Sequence, residues 1–222
     1  MEVKNMKMLE NLIREAAECT PQISIILPIT DPAVLQPCLE NTFSLNYPEY
    51  EFIVINCGAR IQSPNLPDNF RIINYPEAAV ANALNLGLKK SAGEYILFKD
   101  ETSFLLPESL DIAAELIENS NADVIHFAAH VELDGDGEKV VVDDAEELNV
   151  SEPGLLDLPR QLRADFFLQK KFSPWLDTKL IRKEFLTRHE IKFGDDISEF
   201  LFQILVEAKN YLLVPQVFCV TK

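Results

Sequence analysis

Two adjacent acids at the end of an apolar run are the residues in this chain whose type and position most suggest chemistry. Residues 94–98 read EYILF, and Lys99, Asp100, Glu101 and Thr102 follow directly. A short aromatic and β-branched run suits a buried parallel strand. Open α/β sheets bind ligands beyond the carboxyl ends of such strands. Asp100 and Glu101 therefore stand where carboxylates hold a metal ion or a polar ligand; the competing reading is a solvated acidic strand end. A second acidic pair, Asp195-Asp196, precedes a helical pattern over 198–208, where acids also serve as ordinary caps at the positive end of the helix dipole. Trp175 offers either a wall for the apolar face of a sugar or a core side chain. His126 and His130 are four apart, but they fall in a strand pattern that separates them by about 13 Å, too far for one ion. Residues 134–138 read as a hairpin turn; they lack the further ligands of a calcium loop.

The elements that must position these residues follow from periodicity. Residues 7–17 form a short amphipathic helix ahead of the first strand. QISIIL at 22–27 is a buried strand, and Asp31-Pro32 caps and opens the next helix. Residues 50–55 and 70–74 are strands, and 79–90 is helical, ending at Ser91-Ala92-Gly93. Beyond EYILF come a helix over 106–119, a strand over 123–133 with a hairpin partner at 139–142, and an acidic exposed loop over 143–158. Helices follow around 160–169, 179–189 and 198–208, with a last strand over 210–220. Strand and helix alternation of this kind predicts a mostly parallel central sheet with helices on both faces.

Bulk properties narrow the partners. At 222 residues, with 47% hydrophobic and 25% charged, the chain can bury a core. A net charge of −16 argues against nucleic acid and anionic membranes, both of which need clustered Lys and Arg. Cys19, Cys38, Cys57 and Cys219 show no CxxC spacing, so neither zinc nor a disulfide framework is indicated. No apolar run reaches a membrane span and no signal peptide is evident, which predicts a cytoplasmic protein. The sequence stops directly after its last strand, which fits one module of a longer protein.

The order of motifs resembles family 2 glycosyltransferases of the GT-A fold. "GEYILFKDET…LLPESL" is similar to the segment around that family's DxD motif. "ISIILPITD" is similar to its opening strand, and "FIVINCG" to the strand ending in Asp-Asp-Gly. "SPW", "KLIR" and "IKFGDD" resemble downstream acceptor-side segments. The resemblance implies a single GT-A domain over 21–222 after an N-terminal helix over 1–20, with a nucleotide-sugar half at about 21–120 and a smaller acceptor half at 121–222. It implies a metal-dependent hexosyltransferase that moves a sugar from a nucleotide-diphosphate sugar to a glycan acceptor with inversion, in polysaccharide or cell-surface glycan synthesis. By the same resemblance Pro28, Asp31, Asn56, Gly58, Asn85 and Asp100 line the donor site. Asp100 and Glu101 hold Mn²⁺ or Mg²⁺, and Asp195 or Asp196 is the base.

The chain also departs from the pattern. Thr102 stands at the second DxD aspartate, Asn56-Cys57 at the Asp-Asp pair, Leu84 at an arginine and Ala78-Ala79 at two glycines. Threonine is a poorer cation ligand than a carboxylate, so the cation site is weakened or lost. These losses all fall on the donor site, and they support an alternative: a catalytically inactive GT-A-like binding or scaffolding module.

Overall fold

A computed structural model describes residues 22–62, 65–133, 136–137, 139–143, 148 and 150–221. The expected N-terminal helix and most of the turn at 134–138 lie outside the described residues. The strands are β1 (Ile23–Ile29), β2 (Tyr50–Asn56), β3 (Phe70–Asn74), β4 (Tyr95–Phe98), β5 (Ser103–Leu105), β6 (Val124–Leu133), β7 (Lys139–Asp143), β8 (Gly154–Leu155), β9 (Lys179–Arg182) and β10 (Tyr211–Thr221). The helices are α1 (Leu35–Phe43), α2 (Val80–Lys90), α3 (Ser109–Asn119), α4 (Arg160–Leu168), α5 (Lys183–Arg188) and α6 (Ile197–Glu207).

One sheet runs β3-β2-β1-β4-β9-β6-β10-β5, with β7 on β6 and β8 on β10. β1, β2, β3 and β4 are mutually parallel, and β6 is parallel to β10. β9 runs against both of its neighbours, β4 and β6. The sheet is thus mostly parallel, with helices on both faces.

Side chains alternate across each strand, so each strand feeds two cores. Ile23, Ile25, Leu27 and Ile29 pack with Leu35 and Leu39 of α1 and with Leu110 and Ile117 of α3. Ile26, Ile96 and Phe98 face the other way, onto Phe185 of α5 and Phe200 and Ile204 of α6. Phe98 meets Phe193 and Phe200 edge-on, at 4.9 and 5.7 Å between ring centres. Losing such a buried ring costs about 3–5 kcal/mol. This aromatic group fixes the start of α6 against the end of β4.

Three sequence expectations change. Residues 179–189 are not one helix: Lys179–Arg182 is a strand and only Lys183–Arg188 is helical. Leu180 and Ile181 are both fully buried, one in each core, and only an extended segment between β4 and β6 satisfies both. The expected loop over 143–158 contains β8, which pairs with β10, and Leu156 is buried. Ser103–Leu105, where the sequence pattern assigns no strand between EYILF and the helix over 106–119, pairs with the end of β10.

Candidate active site

The site lies beyond the carboxyl ends of β1, β2 and β4, and the direction of β9 completes it. Leu97 pairs with Leu180 in antiparallel register, so β9 enters the sheet where β4 leaves it. The 3-10 turn Leu176–Thr178 that precedes β9 is thereby set beside Lys99 and Asp100. A cleft of about 170 Å³ opens there; Pro28, Lys99, Asp100, Trp175, Asp177 and Ile197 line it, with Val80, Leu84 and Phe98 among its apolar walls.

Asp100 is exposed, and its Oδ1 accepts from the Thr102 amide at 2.8 Å and the Thr102 hydroxyl at 2.5 Å. Thr102, standing at the second acid position, donates to the first acid as an Asx-type turn. Glu101 is half-buried and its side chain does not line the cleft.

Two residues that sequence reasoning passed over lie beneath. Lys99 is 2% exposed, and its ammonium donates to the carbonyls of Asp100 (3.0 Å) and Ser103. Burial lowers its pKa from the usual lysine value. Asp177 is also 2% exposed, and neither carboxylate oxygen has a hydrogen-bond partner. Burial raises its pKa first of all; the Ser103 hydroxyl and Lys179 pull it back, and the charge on Asp100 raises it again. The Ser103 hydroxyl is near enough to act on Asp177, yet it too completes no hydrogen bond. The Lys179 ammonium donates to Ser173 O (3.0 Å), Trp175 O (2.7 Å) and Thr178 Oγ1 (3.2 Å). A lysine after an apolar strand was the one signal for this cluster. Asp177 had none, because only the β4–β9 register brings it here.

The β2 end is built differently. Asn56 is fully buried; its amide donates to Ala59 O and Asn74 Oδ1, both at 2.8 Å, and its Oδ1 accepts from the Gly58 amide at 3.1 Å. Both amide hydrogens are thus committed, so a base contact through the Asn56 nitrogen would require one of these bonds to be released. Gly58 lies so close to Thr30 that a Cβ would run into the Thr30 carbonyl. Asp31 caps the turn at Pro32–Val34, accepting from the Ala33 amide at 2.9 Å. Asn85 makes two bonds with the backbone of Phe193, at 2.8 and 3.0 Å, and so ties α2 to the segment before α6. Asp195 and Asp196 are exposed, and Asp196 caps α6 through the Ser198 amide at 2.8 Å. Ile197, the next residue, reaches the cleft.

His126 and His130 meet different partners. His126 is fully buried with its Nδ1 3.1 Å from the Tyr211 hydroxyl, and burial holds its pKa well below the usual histidine value. His130 meets the Trp175 ring edge-on at 5.3 Å.

Among the described residues no group of three or more His, Cys, Asp or Glu side chains assembles to hold a metal. Mg²⁺ and Mn²⁺ need fewer, because one or two carboxylates combine with substrate phosphates and water. Bare carboxylate oxygens at one cleft are the right donors for such hard cations, so the residues present fit one.

The family model for glycosyl transferase family 2 matches residues 24–190. The chain belongs to that family. It is 21% identical over 196 residues to the glycosyltransferase GlyG of Streptococcus pneumoniae, covering 82% of this chain and 65% of GlyG. It is 20% identical over 186 residues to the putative glycosyltransferase EpsH of Bacillus subtilis, covering 78% and 51%. Its fold matches that of S. aureus TarS residues 1–349 solved with UDP-GlcNAc (TM-score 0.69, 17% identity, 90% of this chain and 58% of that one). It also matches the mannosyltransferase PcManGT of Pyrobaculum calidifontis solved with GDP-Man and Mn²⁺ (TM-score 0.58, 16% identity, 90% and 56%). The chain spans less than two thirds of the length of each of these relatives. The GT-A fold expected from the motifs is therefore the fold observed. No helix among the described residues is long and apolar enough to cross a membrane.

Proposed function

We propose that the chain transfers a hexose from a nucleotide-diphosphate sugar to a hydroxyl of a glycan acceptor, with inversion, in the synthesis of a polysaccharide or surface glycan. The observation that carries this reading is the acidic cleft beyond the parallel strand ends, with Asp100 at its mouth, in a chain of this family. TarS with UDP-GlcNAc and PcManGT with GDP-Man and Mn²⁺ support a nucleotide-sugar donor. Pro28, Asp31, Gly58 and Asp100 face the donor; Asn56 and Asn85 shape its surroundings. Asp100 is the first ligand for a divalent cation, which when bound would offset charge on the departing diphosphate. Asp195 or Asp196 takes the acceptor proton while the new C–O bond forms and the bond to the diphosphate breaks on the opposite face. Trp175 supplies an apolar wall for the sugar.

A second reading, a non-catalytic binding module, is favoured by the internal commitment of Asn56 and by the buried Leu84 at the family's arginine position. A thermal-shift titration with UDP, GDP and their sugars, with and without Mn²⁺, separates the two. Transfer predicts a rise in midpoint for one nucleotide, linked to affinity by mass action, and release of free sugar from that donor on incubation. No rise at millimolar nucleotide leaves the binding-module reading.

A further inference from the structure

Resting on the transferase reading, we infer that Asp177 is the second protein ligand for the divalent cation, supplied by the turn before β9 in place of the aspartate that Thr102 has replaced. Four observations converge. Asp100 and Asp177 line the same cleft. Thr102 occupies Oδ1 of Asp100, which leaves that residue one oxygen for a ligand. Asp177 is 2% exposed with both oxygens unpartnered, a costly state for a buried carboxylate that no hydrogen-bond donor satisfies. The two lysines beside it, Lys99 and Lys179, direct their ammonium groups to backbone carbonyls. They contribute charge to Asp177 without hydrogen-bonding it. A hard cation between Asp100 and Asp177 would satisfy those oxygens, and nucleotide phosphates would complete its shell.

The alternative role for Asp177 is to balance the lysines, and the two roles predict opposite behaviour in the absence of metal. The experiment uses the full chain, with Mn²⁺ binding read by loss of the free-ion EPR signal, alone and with UDP or GDP, and thermal midpoints read in EDTA. Asp177→Asn is expected to lower Mn²⁺ affinity at least tenfold while its midpoint in EDTA stays equal to the wild type or rises. Asp100→Asn should lose Mn²⁺ to a similar degree. Adding Thr102→Asp to Asp177→Asn, which restores an acid on the motif itself, should recover part of the affinity.

Mn²⁺ affinity within twofold of wild type in Asp177→Asn would overturn the inference, as would a midpoint several degrees lower in EDTA with Mn²⁺ binding intact. Nucleotide binding in the wild type that ignores Mn²⁺ overturns it while leaving the transferase reading in place. Mn²⁺ binding that Asp177→Asn abolishes, with no response to any nucleotide, supports the inference and removes the transferase reading. A wild type that binds neither removes both.

Discussion

Two strand ends at the same edge of one sheet use their polar atoms in opposite ways. At the end of β2, Asn56 commits its two amide hydrogens and its oxygen to Ala59, Asn74 and Gly58. Asn74 in turn holds both the amide and the carbonyl of Ile61, each at 3.0 Å. That end is closed on itself. At the end of β4, Asp100 retains an open oxygen and Asp177 retains two, over a floor of buried lysines. Burial without partners is tolerated where something else completes the shell. Residual hydrogen-bonding capacity, more than likeness of letters to a motif, is thus what the proposed ligand site at the β4 end rests on.

The comparison breaks most readily at the closed end. Gly58→Ala forces a methyl group into the Thr30 carbonyl and should destabilise the fold by about 3 kcal/mol or more, read from the urea midpoint. Asn56→Asp, which restores the acid of the family motif, should cost about 2–3 kcal/mol. It leaves Ala59 O without its Asn56 donor and Asn74 Oδ1 with the Ile61 amide alone, and it buries a charge against both. A stable Asn56→Asp variant with improved nucleotide binding would mean the β2 end is open after all.

His126 sharpens the contrast from the strand behind Trp175. Its pKa is depressed in the folded chain, whereas the unfolded chain takes up a proton near pH 6.5. The stability it contributes is therefore present above pH 6.5 and lost as pH falls. Between pH 7 and 5 the wild type should lose more stability than His126→Gln, measured by denaturant unfolding at each pH. Equal slopes would show that His126 protonates in the fold. The smallest stability effect belongs to the open end. Asp100→Asn is exposed and should shift stability by no more than about 0.5 kcal/mol, while its nucleotide-dependent rise in midpoint disappears.

Local pattern was enough for the parallel half. The apolar runs of β1, β2 and β4, the Asp31-Pro32 start and the α2 periodicity all lie in single segments, and each formed as expected. Non-local register was not legible. Asn56 meets Asn74 because β2 and β3 pair in parallel at that step, and no window of sequence contains both. Lys179–Arg182 reads as helix because two charges flank two apolar residues, and only its place between β4 and β6 makes it a strand. Asp177 was missed for the same reason, since its position at the cleft depends on that strand. Asp100 was visible because it follows its own strand directly, and its bond to Thr102 is local.

Hydrogen exchange of the wild type with and without UDP or GDP, in Mn²⁺, tests the contrast between the two ends most directly. An open β4 end predicts slowed exchange at residues 99–103 and 174–179, with residues 56–62 unchanged. Slowed exchange confined to 56–62, or none at either end with any nucleotide, would contradict it.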